Sequence, residues 1–219
     1  MIPDLLWRCP LCQVNDVLTH RQPWLRPEVV DCTACGARWR VRRVAGKGFY
    51  LKLVRRGARG SLSVGDERNL ADWYALMKKT LRLETLPKDD RLLDFPLSEQ
   101  ESVYLASGAA ELWAARPNSP PGGEADTRRV GRGQLFLTDQ RFAWRDDQQQ
   151  LDFPLCQVNG VYAVVNFCLA LVVGQQLYQV LFDHESLLKW VTYAASLDAQ
   201  MRTAQGKADG GHTLRTSHY

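Results

Sequence analysis

Cys9 and Cys12 form one C-x-x-C pair, Cys32 and Cys35 form a second, and nineteen residues separate the two. Thiolates at this spacing can converge on one cation. Each pair folds into a tight knuckle presenting two sulfurs, and two knuckles complete a tetrahedron with Zn–S distances of about 2.3 Å. Gly36 follows the second pair, where the turn needs a positive φ, and Pro10 stiffens the first. A thioredoxin-like redox role needs only one pair in a βαβ setting, and neither condition fits. Disulfides are the other alternative. The opening "MIPDLLWRCP" has neither the basic start nor the long apolar core of a secretion signal, so a cytoplasmic, reducing setting is expected, where paired cysteines bind metal. Four protein ligands leave no open position for water, so the expected Zn2+ is structural rather than catalytic.

The elements that must hold the knuckles are strands: "PEVVDC" enters the second knuckle, "RWRVRRV" leaves it, and "FYLKLV" follows the turn "AGKG". Along the middle strand Arg38, Arg40 and Arg42 alternate with Trp39 and Val41, which puts guanidinium groups on one face and apolar side chains on the other. This row is a candidate anion-binding surface that could track phosphates, with Trp7 or Trp24 stacking on unpaired bases. The competing reading is a solvated Arg face with Trp39 as core. Residues 7–54 resemble a zinc ribbon. The resemblance implies a three-stranded antiparallel sheet clamped by the metal, because a unit this small buries too little apolar surface to fold alone.

Charge is uneven along the chain: residues 1–60 hold twelve Lys/Arg against four Asp/Glu, while the remainder holds sixteen against twenty. The basic character belongs to the cysteine-bearing end, which favours an anionic partner there. "RRGARGSLSVG" reads as a linker, and "DERNLADWYALMKKTLRLE" as an amphipathic helix, with Leu70, Trp73, Tyr74, Met77 and Leu81 on one face and Asp66 and Glu67 near its start. The helix is expected to pack on one of the flanking domains, membrane or partner docking being the alternative. Residues 55–95 are therefore read as a linker with one helix.

From Glu101 the pattern is of short strands and turns: "SVYLAS", "AELWAAR", "GQLFLTDQRFAWRDD", "QLDFPLCQVNGVYAVV", "FCLALVV" and "QLYQVLF". A Pro/Gly/Ser-rich surface loop interrupts them, and a helix is expected to start near Asp183 with Leu187, Val191, Ala194 and Leu197 on its buried side. Thr138 and Asp139 can bond the backbone of a tight turn, and Arg141 can lie across a neighbouring carbonyl or carboxylate, so these are read as structural. Cys156 and Cys168 are read as buried strand residues. The stretches "GQLFLTDQRFAW", "LDFPLCQVNGV" and "LYQVLFDHESLLKWVTYAASL" resemble the GRAM branch of the pleckstrin-homology-like superfold. That resemblance implies binding rather than catalysis, to anionic lipids in some members and to peptides or partner domains in others. Arg116, Arg128, Arg129 and Arg132 bracket the loop, but Glu124 and Asp126 dilute it, and the family's usual basic spacing for phosphoinositides is not matched.

No G-x-S-x-G, HExxH, phosphate-loop or dinucleotide motif occurs, and no histidine has a sequence-evident partner. The carboxylates of "KDDR" and "RDDQ" lie in turn-like surroundings. The expected architecture is α+β and mostly β. It comprises a four-cysteine zinc ribbon (1–54), a helical connector (55–95), a pleckstrin-homology-like antiparallel barrel or sandwich capped by a C-terminal helix (96–203), and a disordered tail (204–219). The expected function is that of a non-catalytic cytoplasmic adaptor, peripheral to a membrane or free of it, binding a protein partner or an anionic membrane surface. The alternative is a nucleic-acid-binding protein that uses the basic ribbon, with the second domain for assembly. No small-molecule substrate is expected.

Overall fold

Apolar residues that alternate with arginine along residues 38–44 must form a strand with one wet face, and this is the central strand of the first sheet. The computed structural model describes residues 2–58, 62–81, 96–115, 127–164, 167–204 and 215–218. It forms two compact units, Met1–Arg82 and Leu83–Tyr219. The "KDDR" carboxylates, most of the Pro/Gly-rich loop with Arg116, and residues 205–214 lie outside the described residues. Among those described, no helix is long and apolar enough to cross a membrane.

The first unit runs α1 (Ile2–Leu5), β1 (Leu18–Arg21), β2 (Val29–Cys32), β3 (Arg38–Val44), β4 (Gly48–Arg55), β5 (Glu67–Asn69) and α2 (Leu70–Lys79). Its strands form one antiparallel sheet in sequence order. Three strands were expected; β1 and β5 make five. Pairing of Trp39 with Leu53 and of Val41 with Leu51 sets one face apolar, and these side chains are buried while Arg40, Arg42 and Lys52 are exposed. Helix α2 covers the apolar face. Its Trp73 is fully buried, meets Trp39 edge-on at 6.0 Å between ring centroids, and donates its indole N–H to the Leu51 carbonyl at 3.0 Å. Asn69 caps the helix, its Oδ1 accepting the Asp72 N–H at 2.8 Å. Asp66 and Glu67, expected near the helix start, precede it, and Glu67 belongs to β5. The residues read as a connector therefore supply a strand and a covering helix to the first unit, because the three-stranded sheet leaves an apolar face that needs burial.

The second unit comprises β6 (Val103–Ala106), β7 (Ala110–Ala115), β8 (Thr127–Thr138), β9 (Arg141–Arg145), β10 (Gln150–Pro154), β11 (Val158–Val164), β12 (Cys168–Val173), β13 (Gln176–Phe182), α3 (Leu187–Ala204) and β14 (Arg215–His218). The sheet runs β10-β9-β8-β7-β13-β12-β11-β14, with β6 also on β8. It is open; no pairing among the described residues closes it into a barrel. Strand β8 is long enough to pair β7 with its first half and β6 with its second. Ser107 bridges the bend between β6 and β7: its N–H donates to the Leu135 carbonyl and its Oγ accepts the Leu135 N–H, both at 2.8 Å. The tail expected to be disordered contributes β14, which pairs in parallel with β11.

Helix α3 packs over β11 and β12. Ser186 rather than Asp183 caps it, accepting the Lys189 N–H at 3.3 Å, while Asp183 pairs with Arg132. Leu187, expected on the buried side, is only half-buried, whereas Trp190 is fully buried, stacked against Phe182 at 5.2 Å and Phe142 at 6.5 Å. The seam is rotated toward the largest side chain, whose burial is worth most. Cys168 is buried in β12, which pushes its thiol up to about 12. Cys156, by contrast, lies exposed in a single 3-10 turn between β10 and β11, contrary to expectation.

The motif residues Thr138 to Arg141 form the β8–β9 turn. The Thr138 Oγ1 accepts the N–H groups of Gln140 and Arg141 at 3.0 and 2.9 Å, and the Asp139 carboxylate accepts the Ser102 N–H at 3.0 Å. In "RDDQ", Asp146 accepts the N–H groups of Gln148 and Gln149, both at 2.8 Å, so it is a turn residue.

Candidate metal centre and the basic sheet face

The first knuckle, Cys9–Gln13, and the second, Cys32–Gly36, repeat one backbone solution. In each, the N–H four residues on from the leading cysteine donates to its carbonyl at 2.9 Å: Gln13 to Cys9, and Gly36 to Cys32. Both chains then turn through positive φ, 78° at Gly36 as expected and 61° at Gln13. The repeat of C-x-x-C-x in the sequence was the available signal for Gln13. A non-glycine residue there carries a backbone cost, and the Arg8 Nε donating to the Gln13 carbonyl at 2.6 Å helps to hold it.

These knuckles bring all four sulfurs within 4.8 Å of one another. Cys9 and Cys35 are 3.9 Å apart at sulfur, and Cys12 and Cys32 3.6 Å. Four ligands at about 2.3 Å from one tetrahedral cation lie about 3.8 Å from each other. The donor set therefore fits a closed tetrathiolate site. Burial pushes the Cys9 thiol far up and the Cys35 thiol to about 11. Burial also opposes ionisation of Cys32, but the N–H of Cys35, which donates to the Cys32 sulfur at 3.4 Å, helps to hold it below the ordinary value. Such buried sulfurs become thiolates most readily against a cation.

Gly57 backs this cluster. The Ala58 N–H donates to the Cys35 carbonyl at 3.0 Å, and a Cβ at Gly57 would stand 2.5 Å from the Cys35 sulfur. Sequence reasoning placed Gly57 in a linker, and nothing in its neighbours marks it as part of the site.

On the opposite face from the core, the guanidinium row exists but is not uniformly available. Asp31 gathers three of the sheet's arginines: Arg38 at 2.5 Å, Arg55 at 3.8 Å, and Arg21. Arg42 pairs with Glu67 at 2.7 Å. Arg40, beside Lys52 across the β3–β4 ladder, has no ion pair among the described residues. Trp7 is buried in the unit's core and cannot stack on a base. Trp24, in the β1–β2 loop, is 95% exposed. No protein-family model and no curated protein matches the chain.

Proposed function

We propose that this chain is a non-catalytic cytoplasmic adaptor, built from a zinc-stapled ribbon and a pleckstrin-homology-like domain of the GRAM branch that docks on a protein or membrane-associated partner. The observation that carries the reading is how the fold spends its polar groups. Among the described residues, the one cluster of metal-binding side chains is the four-cysteine site, and its four ligands leave no open coordination position. The motif arginine, Arg141, is engaged by Glu101 and Asp152, and Asp146 by its own turn. Two antiparallel runs of consecutive strands, β7 to β10 and β11 to β13, joined through the β7–β13 pairing and followed by α3, support the pleckstrin-homology-like assignment.

The test is metal analysis together with co-purification of the full-length protein from its native cell. One zinc per chain and a stoichiometric partner that resists a salt wash are expected. A metal-free protein, or one that carries only salt-labile nucleic acid, overturns the reading. The second reading, nucleic-acid binding by the ribbon, draws on the exposed Arg40–Lys52 pair. It predicts oligonucleotide retardation that falls steeply with salt and is lost in Arg40→Gln.

A further inference from the structure

Trp24 and Leu25 are 95% and 85% exposed, side by side at the tip of the loop joining β1 and β2. Isolated apolar residues on a surface are ordinary, but an almost wholly exposed tryptophan followed by an exposed leucine is not. The tip is built to protrude. Pro23 and Pro27 bracket it with fixed φ, and the Arg26 N–H closes a turn on the Pro23 carbonyl at 3.5 Å. Because the Val41 N–H donates to the Glu28 carbonyl, the loop stands beside the far end of β3 and the β3–β4 turn. The cysteines are at the other end of that seven-residue strand, roughly 20 Å away.

The surroundings of the tip are cationic. Residues 21–52 carry eight Lys/Arg against Glu28 and Asp31 alone. Asp31 is held by arginines, and Glu28 is held by His20 at 2.7 Å and Arg43 at 3.2 Å. Arg26 and Lys47, at the same end, have no ion pair among the described residues. Arg43 also lies over Phe49, 5.1 Å from its ring centroid.

We infer that the Trp24–Leu25 tip inserts into the headgroup–acyl boundary of an anionic bilayer, with Arg26 and Lys47 meeting the headgroups. Size decides against a protein pocket. Two convex side chains cover a few hundred Å2 at most, whereas a specific protein interface buries about 1,200–2,000 Å2. A bilayer needs no shape complementarity; it takes an aromatic ring at the interface and an aliphatic chain below it, and attracts flanking cations to acidic lipid. This site is built from residues of the first unit alone.

The experiment uses the full-length, metal-loaded protein and vesicles of phosphatidylcholine with or without phosphatidylserine. Sedimentation is the first readout; quenching of tryptophan emission by lipid brominated in the acyl chain is the second. The wild type is expected to pellet with the acidic vesicles and to be quenched. Trp24→Ala/Leu25→Ala is expected to weaken partitioning roughly tenfold and to abolish the quenching, with metal content unchanged. Arg26→Gln/Lys47→Gln is expected to keep the quenching of bound protein and lose the preference for acidic lipid. Absence of pelleting with acidic vesicles overturns the inference, as does tip-dependent retardation of an oligonucleotide in its place. Pelleting that survives the tip substitution unchanged overturns it too, while leaving the adaptor reading intact.

Discussion

The guanidinium of Arg141 grips the carboxylate of Glu101 through two bonds, Nε to Oε1 at 2.9 Å and Nη2 to Oε2 at 3.0 Å, across forty residues of chain. The Glu101 side chain is fully enclosed, and Arg141 also donates to the Pro96 carbonyl at 2.8 Å. The pair thus anchors the segment before β6 to the β8–β9 turn. Removing one member leaves a buried charge unmatched, a cost of about 3–5 kcal/mol. Arg141→Ala should lower the urea midpoint accordingly, with an unchanged urea slope showing that only stability moved.

Acid should reveal the same pair. Burial alone would raise the Glu101 carboxyl, but the Ser98 N–H, Thr138 and Arg141 outweigh it and hold it below its ordinary 4.5. Burial likewise works against Asp31, and Arg38 and Arg21 overcome it to hold that carboxyl below its ordinary 3.8. A carboxylate with a depressed folded pKa stabilises fully above its unfolded value, and that stability drains as pH falls through the folded one. Stability should therefore be flat in this respect above about pH 5 and fall below it. Glu101→Gln should lessen the acid sensitivity of the second unit, followed by Trp190 fluorescence or urea unfolding at stepped pH.

Chelation should dismantle the first unit selectively. Zinc binding supplies about 10–16 kcal/mol in comparable small sites, so metal removal should abolish the fixed environment of Trp39 and Trp73 in near-ultraviolet circular dichroism. Gly57→Ala pushes a methyl group against the Cys35 sulfur. Its metal affinity should drop by about tenfold or more, the range for supporting residues around a metal site, as measured by competition with a chromophoric chelator.

Trp73 joins α2 to the sheet. Trp73→Ala removes a fully buried ring and the bond to Leu51, at a cost of about 3–5 kcal/mol. A chain truncated after Val54 should expose Leu51, Leu53 and Trp39, and should fail to give the dispersed amide spectrum that residues 1–82 retain.

What could be read along the chain were properties set by near neighbours. The cysteine spacing determined the two knuckles, strict alternation determined the wet and dry faces of β3, and Thr138 with Asp139 determined a turn, because each depends on backbone geometry within a few residues. Partners at a distance were decided only by the packed structure. Asp31 as the hub of three arginines, Gly57 against a cysteine sulfur, the transfer of the connector helix to the first unit, and Trp190 rather than Leu187 at the centre of the α3 seam all depend on which surfaces meet. That choice follows from the apolar area each docking removes from water, a quantity that no local stretch contains.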